Sequence, residues 1–488
     1  MNKIQVELVR LIIEKVEDTS DLENLRLVSK FLSIQATREL FSYCSVNLED
    51  IGSEEDDDER KNVDGKEGDG AADETVSTIP QTRLERILDV PHLKQAIRTI
   101  RYITNRTPNL SIEEWNEYGH FENEFTAPRR KLVGKCNRFP KLTTVEVEFA
   151  QMCYHCDEGD ERSFYAVRVP DSHEYRTAFL KKLFASLNSS QYPTPCLNTI
   201  SLKNLQNVND SSLTTSEDFL AVLKRITNLR LRVVTEYDEA FPGSSWFFPE
   251  MHNFFAELPS TWLAPCAENL KFLTIHCDQL WGYFPRCDWR GVHFPRLEKL
   301  ELGNYSFSHD WQLDWIISHG KTLEVLTLDA CPMLSVVRQF GNLDEENYAV
   351  QPTAGLDERK TWHYRTKWSD YYLRMQSDLP KLRVLKIGTG KWHNGENFDG
   401  AEMRLAEKSG ETGVYWSFYP QNPQPAYPYT YFKRGFGPSP WFDKDDVPAD
   451  GGEEETGTTN PPELDTTSQA ERDQFGYDGE SSSMELLS

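Results

Sequence analysis

The sequence predicts an α/β chain: a short three-helix unit at the N-terminus, then an irregular solenoid with parallel β-strands inside and helices outside. Acidic stretches expected to be disordered separate and follow these parts. Three observations carry this expectation. The first 48 residues place their apolar side chains at helical spacing. A strand-length apolar motif recurs through the middle of the chain. The charge is concentrated in two segments that hold few apolar residues.

The first helix carries Ile4, Leu8, Leu11 and Ile12, with Val16 four residues beyond Ile12, and these positions share one stripe. Ser20 and Glu23 have the spacing of a capping box, in which hydroxyl and carboxylate each satisfy a free backbone N–H. Leu22, Leu25, Leu27, Val28, Phe31 and Leu32 follow in the second helix, and Ile34, Leu40 and Phe41 close the third. A unit of about 45 residues buries too little surface to fold robustly without a metal, disulfide or partner. It holds one cysteine, Cys44, and no cluster of metal ligands, which leaves a partner. Packing of the stripe onto the rest of the same chain is the structural alternative.

The recurring motif is apolar, two free positions, apolar, one free, apolar. It occurs as Leu142-Val145-Val147, Leu197-Ile200-Leu202, Ile226-Leu229-Leu231, Leu270-Leu273-Ile275, Leu297-Leu300-Leu302, Leu323-Leu326-Leu328 and Leu382-Leu385-Ile387, with a weaker copy at Ile97-Ile100-Tyr102. From Leu142 onward the starts lie 55, 29, 44, 27, 26 and 59 residues apart. Three intervals are near 27, and two are near twice that. Pro140, Pro295 and Pro380 each stand two residues before a first leucine and close the loop ahead of the strand. Helix-like stretches lie between, at Tyr175–Leu187 and around Trp311, Trp315, Ile316 and Ile317. One strand-plus-helix unit cannot cover its own apolar face, so its neighbours must. The long gaps 150–170, 236–259 and 337–379 hold insertions, and the aromatic content of the last two predicts packed ones.

The run Ser20-Asp21-Leu22-Glu23-Asn24-Leu25-Arg26-Leu27-Val28-Ser29-Lys30, with Leu32 and Ala36–Phe41 behind it, resembles an F-box of the fungal kind. The resemblance covers residues 1–48. Ile4, Glu7 and Leu8 fit the family's opening, while Gln5 stands where the family has proline. The resemblance implies docking to the Skp-type adaptor of a cullin–RING ubiquitin ligase, with Ile4, Leu8, Ile12, Leu25, Val28 and Leu32 in contact or hairpin-core positions. The strand motif and its period resemble the leucine-rich repeat, in the irregular form found behind F-boxes, at about eight units.

The net charge of −25 is uneven: residues 49–78 carry −10 and residues 441–488 carry −12, which leaves −3 for the rest. The tether includes six consecutive acids, Glu54–Glu59, which repel one another and extend it. The folded part is near neutral and has no basic field for a phosphate backbone, so nucleic acid is not expected as a partner. No apolar run is long enough for a membrane span, and Glu7, Arg10 and Glu14 interrupt any secretory apolar core. Nine cysteines without that signal read as reduced thiols, and the expected location is cytoplasmic or nuclear.

Strand side chains alternate, so the residues between the apolar positions face the concave side where solenoids bind. Along the strands this face runs acidic, neutral, basic, mixed, acidic and basic, a pattern suited to a particular protein surface. Within it Arg230, Arg232, Lys271 and His276 form the candidate client site, the arginines being matched to an acidic or phosphorylated peptide. An ordinary solvated face is the bland alternative. The aromatic, proline-rich stretch Tyr415–Phe442 reads as a cap over the last repeat or as a flap near the client.

Enzyme chemistry finds no support. Cys153-Tyr154-His155-Cys156 is half a zinc site with no second pair. His276, Cys277 and Asp278 are adjacent on a strand and cannot converge. No metal, cofactor or catalytic residue is expected. The expected domains are 1–48 (F-box-like), 49–80 (acidic linker), 81–400 (solenoid), 401–442 (aromatic cap) and 443–488 (acidic tail). The expected function is a non-catalytic substrate receptor of an SCF-type ligase, joining the adaptor to an unknown protein client. A repeat scaffold independent of the ligase is the alternative, and Gln5 favours it.

Overall fold

A computed structural model describes residues 6–13, 15–16, 18–49, 51, 82–105, 124–153, 169–236, 249–340, 343–349, 359–388, 430–434 and 484–485. The chain divides into two compact units, residues 1–243 and 244–488.

The first unit opens with α1 (Val6–Ile13), α2 (Thr19–Val28) and α3 (Lys30–Leu40). The second helix starts one residue ahead of the expected cap. Asp18 is the N-cap, and its carboxylate accepts from the Ser20 N–H at 2.8 Å. Ser29 breaks the apolar run that the spacing reads as one helix. Its backbone is extended, and its hydroxyl accepts from the Leu32 N–H to cap α3. The three helices share a small core of Ile13, Leu22 and Ala36, with Val9, Val16, Leu25, Leu32 and Leu40 packed against it.

Directly after α3 comes β1 (Tyr43–Asn47), which pairs in parallel with β2 (Thr99–Ile103). The Ser42 carbonyl accepts from both Arg98 N–H and Thr99 N–H, at 2.7 and 3.0 Å. The opening helices therefore run into the sheet through a two-residue joint, and the acidic segment lies between two paired strands instead of between helices and sheet. Cys44 and Val46 stand opposite Ile100 and Tyr102, so Phe41-Cys44-Val46 is a copy of the motif that its cysteine hides from an apolar scan. The expected boundary at residue 48 thus falls just past the first strand.

Between β1 and β2 lie α4 (Arg83–Leu88), with a Thr82–Glu85 capping box, and α5 (Pro91–Lys94). Next come α6 (Ala127–Val133), β3 (Thr144–Glu148), α7 (His173–Leu187) and β4 (Thr199–Gln206). The unit ends with α8 (Ser211–Thr214), α9 (Glu217–Arg225) and β5 (Asn228–Val234). β1 to β5 are consecutive and parallel. Their motif residues align in two ladders, Ile100–Val145–Ile200–Leu229 and Tyr102–Val147–Leu202–Leu231. Every member is 0 or 1% exposed, and burial of side chains this size stabilises by roughly 1.5–3 kcal/mol each. Register is fixed because a one-residue slip would turn both ladders outward. Phe179 of α7 meets Tyr102 and Phe149 edge-on at 5.8 and 5.5 Å, so the helix caps the strands with aromatic contacts.

The second unit holds α10 (Pro249–Leu258), β6 (Phe272–Trp281), β7 (Lys299–Tyr305), α11 (Asp310–Ile317) and β8 (Val325–Asp329). It continues with β9 (Leu334–Phe340), β10 (Arg359–His363), α12 (Trp368–Asp378) and β11 (Val384–Gly388). β6, β7, β8 and β11 are parallel and repeat the alignment, as Leu273–Leu300–Leu326–Leu385 and Ile275–Leu302–Leu328–Ile387. The described residues of the gap 337–379 are folded. β9 and β10 pair antiparallel, and α12 follows. β12 (Thr430–Arg434) adds to β9, and β13 (Met484–Glu485) to β11, both antiparallel. The rest of Tyr415–Phe442, residues 52–80 of the acidic linker, the acidic tail apart from Met484–Glu485, and Tyr154–Cys156 lie outside the described residues. Each unit is thus an α/β array of successive parallel strands with helices between them, except between β6 and β7, an arrangement compatible with a solenoid.

One recurrent feature escaped the motif. Asn204 and Asn304 each sit two residues past the last ladder position, with φ of +60° and +57°. Each side-chain amide donates to the carbonyl two residues past the last ladder position of the preceding repeat, Phe149 O at 2.8 Å and Cys277 O at 2.7 Å. Asparagine tolerates the left-handed bend and satisfies a buried carbonyl there. Ala330 occupies the equivalent bend after β8 with φ +49° and has no amide to offer.

Candidate docking surfaces

The opening helices leave much of their apolar surface uncovered. Leu8, Leu11 and Ile12 of α1 are 50, 58 and 62% exposed, and Leu27 and Val28 of α2 are 85 and 68% exposed. Phe31 and Ile34 of α3 join them. Among the described residues these are seven of the ten exposed large apolar side chains, all within one short stretch. Of the residues expected to meet an adaptor, Leu8, Ile12 and Val28 are exposed, whereas Leu25 and Leu32 are half-buried against the helical core. Ile4 lies outside the described residues. The alternative in which the stripe packs onto the same chain does not describe Leu8, Ile12 or Val28. Exposed apolar clusters of this kind are characteristic of interaction surfaces.

The residues expected to take a client fall in different units. Arg230 and Arg232 share one face of β5, opposite Ser201 and Lys203 of β4. Arg230 is half-buried, but Arg232 is only 2% exposed. Beside them the charges are already engaged: Lys203 Nζ meets Glu148 Oε1 at 2.5 Å, and Arg101 reaches the other Glu148 oxygen. Burial works to raise the Glu148 pKa, but its hydrogen bonds to Lys203 and Arg101 outweigh that and hold the carboxyl below its usual range. In the second unit Lys271 Nζ pairs with Glu298 Oε1 at 2.6 Å. His276 is 1% exposed, and its imidazole lies over Gly303 of β7, where a methyl group would overlap the ring. The alternation that points these positions away from the ladders is present, yet neither Arg232 nor His276 offers its side chain to solvent.

Next to His276, the Cys277 thiol donates to Asp278 Oδ1 at 3.5 Å. Burial and the neighbouring carboxylate push this thiol well above its ordinary pKa, the reverse of an activated nucleophile. Cys153 is buried, and its thiol donates to Thr235 O at 3.3 Å. Among the described residues no three His, Cys, Asp or Glu side chains are grouped to hold a metal ion, and no helix is long and apolar enough to cross a membrane.

Another arginine pair was not singled out by sequence reasoning. Arg286 and Arg290 follow β6 and grip the segment 343–349. Arg290 Nη1 and Nη2 reach both Glu346 carboxylate oxygens at 2.6 and 2.9 Å, and Arg286 Nη1 reaches Asp344 Oδ2 at 2.8 Å. The Arg290 hydrogen bond, with help from Arg286, holds the Glu346 carboxyl down to about 2. Asp288 accepts from Arg290 through both of its oxygens and steadies the guanidinium. The Arg286 guanidinium also lies 4.1 Å from the Tyr348 ring centre. The Tyr348 ring stacks on His309 at 4.3 Å, and His309 also stacks on Trp362 at 4.8 Å. His309 Nε2 donates to Glu346 O at 2.7 Å, which fixes the tautomer and leaves Nδ1 to accept from the Ser308 hydroxyl. Burial lowers the His309 pKa and keeps the ring neutral. These residues form no sequence motif because they are scattered from 283 to 362; the paired arginines with an aromatic between them, Arg286 to Arg290, are the signal the sequence offers.

No protein-family model matches the chain, and a search of curated proteins finds no matching relative.

Proposed function

We propose that this chain is the substrate-recognition subunit of an SCF-type cullin–RING ubiquitin ligase. The observation that carries the reading is the exposed apolar surface of α1, α2 and α3, which includes Leu8, Ile12 and Val28 from the positions where the F-box resemblance puts adaptor contacts. Three helices around so small a core, with seven large apolar side chains outside it, suit a module completed by another protein. The parallel strand arrays behind them fit the leucine-rich-repeat part of the reading and offer extended surfaces for a client. Function is by proximity: one end holds the ligase core, the other raises the local concentration of client lysines near charged ubiquitin. The two-residue joint at Phe41–Ser42 favours a fixed presentation over a tethered one.

The test is binding of the full chain to purified Skp-type adaptor by calorimetry. The Leu8→Glu/Ile12→Glu/Val28→Glu variant is expected to lose at least about 100-fold in affinity, since each site forgoes burial of an aliphatic side chain and would bury a charge. Its thermal unfolding should match that of the parent, because all three side chains are exposed. If the parent chain itself shows no binding, a ligase-independent repeat scaffold replaces this reading.

A further inference from the structure

Segment 343–349 reads Leu-Asp-Glu-Glu-Asn-Tyr-Ala and behaves in the fold like a bound peptide. It closes on itself. Asp344 N–H donates to Tyr348 O and Asn347 N–H to Asp344 O, while Asp344 Oδ1 accepts from the N–H groups of Glu346 and Tyr348. Leu343 and Ala349 bridge its two ends. Among the described residues, every backbone-to-backbone hydrogen bond of this segment is internal to it.

What fastens it to the rest of the second unit is side chains. Two arginines take Asp344 and Glu346. Tyr283 Oη donates to Asn347 O at 2.9 Å, and Trp311 Nε1 donates to the Tyr348 hydroxyl at 3.0 Å. Tyr348 is 1% exposed, slotted against Tyr283, His309 and Arg286. By contrast the arginines and Glu346 remain partly open to solvent. This is the anatomy of a peptide site: an aromatic anchor in a pocket, paired arginine forks for carboxylates, and donors for the ligand backbone. Charged groups facing the segment are Arg286, Arg290 and Asp288, with His309 neutral.

We propose that this segment is an internal pseudo-ligand, and that the cradle of Arg286, Arg290, Tyr283, His309 and Trp311 accepts an acidic, tyrosine-containing peptide of a client when the segment is withdrawn. The ligand class is written in the segment itself: carboxylates two and four residues ahead of a tyrosine, in a tight turn. Calling that peptide a client rests on the receptor reading above. The test does not involve the adaptor, so the two readings fail separately.

The probe is the synthetic peptide Leu-Asp-Glu-Glu-Asn-Tyr-Ala, blocked at both ends and fluorescently labelled, titrated into the full chain at low salt. Glu346→Ala/Tyr348→Ala, which loosens the internal segment, is expected to bind it at least tenfold more tightly than the parent chain does. Adding Arg286→Glu/Arg290→Glu to that variant should abolish binding. Absence of binding to the loosened variant, equal binding by variant and parent, or indifference to arginine reversal would each overturn the proposal. If the loosened variant does not fold, the parent chain with excess unlabelled peptide decides. Displacement should speed hydrogen exchange at the amides of residues 344–348, and unchanged exchange at millimolar peptide would overturn it.

Discussion

Replacing Arg176 by methionine should destabilise the first unit more than any surface change in the chain. Arg176 is 2% exposed on α7 and donates to four backbone carbonyls: Asp171 O at 2.9 Å, Asn204 O at 2.6 Å, Ala150 O at 2.7 Å and Met152 O at 2.9 Å. These carbonyls lie where the chain leaves β3, enters α7 and bends within β4, so one guanidinium ties three connections together. Methionine keeps much of the volume but none of the donors. Four carbonyls would lose a charged partner, at roughly 1–3 kcal/mol for each left buried and unsatisfied. Partial relaxation and entry of water at the loop ends reduce the sum, giving an expected loss of about 4–6 kcal/mol. Domains of this kind are stable by about 5–15 kcal/mol, so the variant is marginal. The assay is urea unfolding of the full chain followed by far-UV circular dichroism, fitted with a separate transition for each unit. With a slope of about 2–3 kcal/mol/M the first unit's midpoint should fall by about 2 M. Arg176→Lys, which keeps charge but not the planar fork, should recover less than half of that. A loss below about 1 kcal/mol for the methionine variant would refute the reasoning and mean that water replaces the guanidinium without cost.

The remaining expectations concern the second unit. His319 is buried and stacked on His293, and its Nδ1–H donates to Trp315 O while Nε2 accepts from Phe294 N–H. Burial first, and then the His293 charge, lowers its pKa from 6.5 to about 4. A depressed folded value means the neutral ring stabilises fully above 6.5 and less as pH falls toward 4; about 3 kcal/mol is lost across that window. Unfolding free energy measured from pH 7 to 4 should show this slope, and His319→Gln should flatten it. Gly303→Ala places a methyl inside the His276 imidazole and should cost about 1–3 kcal/mol, whereas in a His276→Ala background the same change should cost almost nothing. A double-mutant cycle by urea unfolding that shows no coupling would contradict this packing. Ala330→Gly removes the strain of a left-handed alanine at φ +49° and should stabilise by about 1 kcal/mol, read as a rise in Tm of a few degrees.

Several parts of the fold were legible because their physics is local. The period of the leucines fixed both the strand positions and their register, since the second and third apolar positions of each motif align across neighbouring strands. The strand at Tyr43–Asn47 was missed because its ladder residues are Cys44 and Val46 and because the run before it reads as helix; only pairing with Thr99–Ile103 reveals it. Ser29 was read through because the apolar spacing continues across it, while its own extended backbone and capping hydroxyl end one helix and start the next. The asparagine bends were visible in principle, at a constant offset from Leu202 and Leu302.

The chain by itself determined which side chains are apolar, at what spacing, and hence that helices open it and parallel strands follow. Burial was left to the tertiary structure, because exposure depends on what the rest of the chain brings against a face. It left Leu8, Ile12 and Val28 uncovered while closing over Arg232 and His276. It also brought Arg286 and Arg290 onto Glu346 across more than fifty residues of sequence, a meeting that no spacing rule encodes.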